Sequence, residues 1–137
     1  MTTPISILLV EDDEDDQEFF MEALREVRDI TLLQIASDGQ AAIDTLTSSI
    51  ILPEIIFMDV DMPRMDGIEC LQELSNNPRI RNVPIVMLTS CLAYREQALN
   101  LGARAFIKKP ADGKDLSKKL NQIVNRDWLA STYAVLN

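Results

Sequence analysis

The sequence predicts an α/β fold: a doubly wound parallel sheet of five strands with five helices on its faces. Two observations predict it. Short apolar runs rich in β-branched residues alternate five times with stretches whose apolar residues recur at three- and four-residue spacing. Alternation of this kind builds a parallel sheet covered on both sides, through right-handed crossovers. The 137 residues have room for one such domain, and no low-complexity linker or internal repeat divides them.

"ISILLV" (5–10) is too short for a helix and reads as the first buried strand. A helix follows, starting among Asp13–Asp16, where acids suit the positive N-terminal dipole, and carrying Phe20, Ala23, Leu24 and Val27 on one face. "ITLLQIA" (30–36) is the second strand. "SDGQAAIDTL" opens at Asp38-Gly39 and continues as a helix with Ala42, Ile43 and Leu46 inward. "EIIFMD" is the third strand, and Ile68, Leu71 and Leu74 mark a helix ending near Asn76-Asn77-Pro78. "VPIVMLTS" is the fourth strand, 94–101 the fourth helix, and Gly102 its stop. "RAFIKK" is the fifth strand, followed by a helix on Leu116, Leu120 and Ile123. The domain spans 1–125. The tail 126–137, with Trp128, Leu129, Tyr133, Val135 and Leu136, is too apolar for a free end. It is expected to extend the last helix or to pack on a partner.

In such folds, ligands sit outside the carboxyl ends of the strands. Strand one ends in Glu11-Asp12-Asp13, strand three in Asp59 with Asp61 beyond, strand four in Thr89-Ser90, and strand five in Lys109-Pro110. Two carboxylates about 4 Å apart repel by roughly 4 kcal/mol at an effective dielectric near 20. Acids gathered at the end of buried strands therefore call for a positive partner. Asp12, Asp59 and a neighbour such as Glu11 suit one Mg²⁺, which takes octahedral oxygen donors. Lys109 adds a point charge for phosphate oxygens and Thr89 a hydroxyl. A carboxylate nucleophile, a hard cation, a lysine and a hydroxyl describe phosphoryl transfer onto an aspartate. Singly, each feature has a plainer reading: a solvated helix start, a helix cap, a surface lysine, or core filler at Phe106. Their convergence on one rim favours the chemistry.

Composition narrows the alternatives. There is no histidine, which removes Ser-His-Asp and Cys-His catalysis and histidine-ligated metals. Cys70 and Cys91 are far apart, without CxxC spacing, and fit a reducing compartment. The net charge of −9, with no basic-aromatic stripe, argues against direct nucleic-acid binding. No apolar run reaches the roughly 18–20 residues of a membrane span, and the N-terminal stretch lacks the basic region of a signal peptide. A cytoplasmic protein without membrane insertion is expected.

"ILLVEDD", "IIFMDVDMPRMDG", "VPIVMLTS" and "GARAFIKKP" together resemble the four signature blocks of the response-regulator receiver domains, the CheY-like family, in order from about Ile5 to Asn125. The resemblance implies a flavodoxin-like strand order 2-1-3-4-5 and a single-domain response regulator of a two-component phosphorelay. It makes Asp59 the phosphate acceptor. Asp12 and Asp59 would bind Mg²⁺ directly, with the backbone carbonyl of Asp61 as a third ligand and Glu11 acting through water; Asp13 falls outside the matched pair. Thr89 and Lys109 would hold phosphoryl oxygens, with Lys108 the lesser candidate, and Lys109-Pro110 would be cis. Gly67 would close the loop that carries Pro63. Asp61 and Cys91 would tune hydrolysis of the acyl phosphate.

Movement of Thr89 and of the aromatic Phe106 would switch the surface of the fourth helix, fifth strand and fifth helix. Phe106 lacks tyrosine's hydroxyl and so has less reason to face water at rest. Partners implied are a sensor histidine kinase and a downstream protein or a second copy; the acidic stretch "EDDEDD" is similar to that of single-domain receivers paired with bacterial sensor or phytochrome-type kinases. No turnover of an external substrate is expected beyond autodephosphorylation. Two rivals stand beside this reading. "DVDMP" also resembles the haloacid-dehalogenase phosphatase motif, with Asp59 as nucleophile and Asp61 as acid/base, although that family places DxD on its first strand. The other is a binding module that keeps the fold without phosphorylation.

Overall fold

The computed structural model describes residues 4–62, 65–89, 92–110, 112–124 and 134–136. Its strands are β1 (Ile5–Val10), β2 (Ile30–Ala36), β3 (Ile55–Asp59), β4 (Ile85–Thr89), β5 (Ala105–Lys108) and β6 (Ala134–Leu136). The helices are α1 (Glu14–Arg25), α2 (Gly39–Ser48), α3 (Gly67–Ser75), α4 (Arg95–Asn100, after a 3₁₀ turn at Leu92–Tyr94) and α5 (Gly113–Val124). The sheet order is β2-β1-β3-β4-β5-β6. Every neighbouring pair is parallel.

The expected order of the first five strands is therefore present, and the sheet has a sixth strand that was not expected. Ala134–Leu136 runs along the edge of β5, pairing Ala105 with Ala134 and Ile107 with Leu136. This part of the tail is strand rather than helix. Residues 125–133, with Trp128, lie outside the described residues, as do Pro63, Ser90 and Cys91.

The period-two alternation of the strands splits the core into two layers. Ile7, Leu9, Ile55, Phe57, Val86, Leu88 and Ile107 face Phe20, Ala23 and Leu24 of α1 and Leu116, Leu120 and Ile123 of α5. Leu8, Val10, Ile56, Met58, Met87 and Phe106 face Ala42 and Leu46 of α2, Ile68, Leu71 and Leu74 of α3, and Ala98 of α4. Burial on both sides leaves the chain polar freedom only at strand ends, which is where the charged residues stand.

Aspartates start three of the helices. Asp13, Asp38 and Asp66 accept hydrogen bonds from the amides of Asp16, Ala41 and Glu69. Each satisfies an amide that would otherwise lack a partner in the first helical turn. Asp13 thus caps α1. Gly102 ends α4 at φ +108°, a conformation a side chain resists. None of the helices among the described residues is long and apolar enough to cross a membrane.

Gly67 lets the β3–α3 loop close beneath the site. Its amide donates to the Val60 carbonyl at 2.8 Å, and a Cβ added there would run into the Asp59 carbonyl oxygen. Gly67→Ala is expected to lower unfolding stability by about 1–3 kcal/mol, the usual cost of overpacking a backbone contact. Urea denaturation against the parent chain reads the loss directly.

Candidate functional site

Four strand ends bring four of the expected residues together. Glu11 follows β1, Asp59 ends β3, Thr89 ends β4, and Lys109 follows β5. Glu11 is 2% exposed, Asp59 4% and Thr89 0%. Asp12 and Asp61 are exposed at the same rim, as is Lys108. A cleft of about 350 Å³ is lined by Glu11, Asp12, Asp13, Asp16, Asp59, Asp61 and Lys109.

The backbone fixes these positions tightly. The Glu11 amide donates to Ala36 O at 3.0 Å, and the Gln17 side-chain amide donates to Glu11 O at 2.7 Å. The Val60 amide donates to Leu88 O at 3.1 Å, anchoring the residue after Asp59. The Lys109 amide donates to Thr89 O at 2.7 Å, tying the ends of β4 and β5. The expected cis bond at Lys109-Pro110 is absent: the described residues contain no cis peptide. The trans form is the lower-energy isomer at X-Pro by about 0.5–1 kcal/mol.

One cation faces several acids. The Lys109 ammonium lies 2.8 Å from Glu11 Oε1, 3.0 Å from Asp16 Oδ2 and 3.2 Å from Asp59 Oδ1. It does not neutralise them all. Burial, reinforced by the Asp59 charge, pushes the Glu11 carboxyl up to about 7 against the pull of Lys109. Burial raises Asp59 as well, again against Lys109, and Asp61 adds repulsion. Burial works to lower the Lys109 ammonium, but its carboxylate partners hold it above the ordinary lysine value. The two buried acids thus keep a deficit of positive charge.

A metal ion would answer that deficit. Glu11, Asp12 and Asp59 each offer a carboxylate oxygen, and these atoms lie within 4.8 Å of one another. Oxygen-only donors of net negative charge fit a hard divalent cation. The cluster therefore suits divalent metal binding.

Phe106 is fully buried, packed with Met87, Ala98 and Ala103 on the α2–α3–α4 side. Two contributors were not legible in the sequence: Asp16, the third acid on Lys109, and Gln17, which holds the Glu11 carbonyl. Both sit on the first turn of α1, and their only sequence signal was the offset from the end of β1.

A family model for the response regulator receiver domain matches residues 7–121. The chain belongs to this family. Its first acids follow β1 and Asp59 ends β3, an order opposite to the phosphatase reading. The receiver is 31% identical over 133 residues to the response regulator Rre1 of Synechocystis, covering 96% of this chain and 56% of that protein. It spans 35% of a protein-glutamate methylesterase of Nitrosospira multiformis, at 31% identity over 88% of this chain. Among solved structures, the phosphorylated cyanobacterial phytochrome response regulator RcpA matches with a TM-score of 0.80 at 25% identity, covering 94% of this chain and 96% of that one. The Mn²⁺-bound response regulator Rcp1 matches with a TM-score of 0.76 at 31% identity, covering 93% and 96%.

Proposed function

We propose that Asp59 accepts a phosphoryl group from a sensor histidine kinase, with one Mg²⁺ held by Asp12, Asp59 and the Asp61 carbonyl and by Glu11 through water. The single observation that carries this reading is the pair of buried carboxylates, Glu11 and Asp59, that share the Lys109 ammonium and cluster with the carboxylate of Asp12. The phosphorylated state of RcpA and the Mn²⁺ bound to Rcp1 support it by relationship.

In this mechanism an Asp59 carboxylate oxygen attacks phosphorus. The bond from phosphorus to the donor breaks, and the donor leaves with that electron pair. Bound Mg²⁺ supplies charge that offsets the repulsion between the incoming anion and Asp59. Lys109 pairs with one phosphoryl oxygen and Thr89 donates its hydroxyl to another. Hydrogen bonds to charged groups contribute about 1.5–3 kcal/mol each. Two approach the roughly 5.5 kcal/mol that inverts a two-state population from 1:99 to 99:1. Thr89 then draws inward, Phe106 shifts in the space beside it, and the face of α4, β5 and α5 changes for a downstream protein or a second copy. Water attacking phosphorus returns the carboxylate and releases phosphate; no other substrate is turned over.

Incubation with acetyl phosphate and Mg²⁺ is expected to add one phosphoryl group by intact mass, and EDTA to prevent it. Asp12→Asn is expected to raise the Mg²⁺ concentration for half-maximal phosphorylation by about tenfold or more, since loss even of outer groups at metal sites costs that much. Phosphorylation unaffected by EDTA would overturn the metal assignment.

A further inference from the structure

We propose that Asp16 is a positioning residue that holds Lys109 back among the resting carboxylates until the phosphoryl group arrives on Asp59, a reading that rests on Asp59 as acceptor. A lysine ammonium has three donors. Here three carboxylates surround it, Glu11 at 2.8 Å, Asp16 at 3.0 Å and Asp59 at 3.2 Å. The donor that the Asp59 carboxylate held passes to a phosphoryl oxygen, which lies farther out than the carboxylate; Lys109 has to advance to follow it, so either Glu11 or Asp16 has to yield.

Exposure decides which. The Glu11 side chain is 3% exposed and has little water to replace the lysine, whereas Asp16 is 47% exposed and can exchange the ammonium for solvent. Releasing Asp16 therefore costs least. The lysine also has room to move. It is 24% exposed, and a cavity of about 250 Å³ lined by Leu9, Phe19, Phe20, Leu88, Leu116 and Pro110 opens beside Glu11, Asp16 and Lys109. The aim of Asp16 is built into α1: its amide donates to the Asp13 cap at 3.0 Å, fixing the first turn with its carboxylate toward Lys109. Asp16 is thus a latch on the resting state. Lys109 leaves it to reach the phosphoryl group and returns after hydrolysis.

The test compares initial rates of phosphorylation by acetyl phosphate at saturating Mg²⁺, with melting temperatures measured in parallel. Asp16→Asn removes the latch and is expected to raise the rate about two- to fivefold, the worth of a partly exposed ion pair. Asp16→Glu keeps a carboxylate within reach and is expected to restore the parent rate. Asp15→Asn removes the same charge from an exposed neighbour and controls for long-range attraction of the anionic donor. A rate for Asp16→Asn no higher than that of Asp15→Asn, with the parent phosphorylated on Asp59, overturns the latch alone. A fall in both rate and melting temperature assigns Asp16 a structural role and also overturns it. A parent chain that takes no phosphoryl group overturns the acceptor assignment, and the latch with it.

Discussion

Asp59→Asn incubated with acetyl phosphate and Mg²⁺ is expected to show no phosphoryl adduct by intact mass, while melting no lower than the parent chain in EDTA. The first result follows from chemistry: an amide oxygen is a poor nucleophile toward phosphorus, and loss of the attacking group leaves no second route. The second follows from the direction of the Asp59 shift. Burial raises its carboxyl above the ordinary aspartate value, despite Lys109. A carboxylate whose folded value is raised opposes folding at pH values above it, where it is ionised in both states. Removing the charge relieves that opposition. Added Mg²⁺ is then expected to stabilise the parent more than the variant, because the variant has lost a carboxylate ligand. An adduct that persists in Asp59→Asn would move the acceptor elsewhere, and a large drop in melting temperature without metal would contradict the electrostatic account.

Lys109→Met is expected to be the most damaging change at the rim. The methionine retains much of the aliphatic stem but leaves Glu11 and Asp59 buried without their shared cation. Breaking a buried ion pair commonly costs about 3–5 kcal/mol. Lys109 is 24% exposed, so solvent screening puts the expected loss nearer 2–3 kcal/mol in EDTA. Mg²⁺ is expected to restore much of the stability, since it answers the same charge deficit. It is not expected to restore the switch, because the phosphoryl oxygen still lacks the lysine. Urea denaturation with and without Mg²⁺, beside acetyl phosphate labelling, separates the two effects. A variant as stable as the parent in EDTA would show that Lys109 does not hold the acids together.

Most of the fold was legible because its signals are local. "ISILLV" and "IIFMD" are buried on both faces and so read as continuous apolar runs, while Phe20, Ala23 and Leu24 carry the helical repeat of α1. The rim was legible because strand ends in such sheets point one way, and Glu11, Asp59, Thr89 and Lys109 stand at those ends. β6 was not: three residues carry no period, and Ala134–Leu136 is strand only by virtue of its pairing with β5. The Asp16–Lys109 pair joins residues 93 positions apart. Its formation depends on how α1 leans over the rim, and no spacing along the chain encodes that angle.

The sixth strand changes what β5 can offer to others. A lone border strand presents a ladder of unsatisfied amides and carbonyls, which recruits foreign chains by simple continuation of the sheet. With Ala134–Leu136 laid along it, β5 no longer ends the sheet, and the border passes to a strand of three residues that offers a visitor only a short ladder. Promiscuous sheet growth is thereby discouraged on the flank nearest Lys109, while the other border is β2, a strand of seven residues.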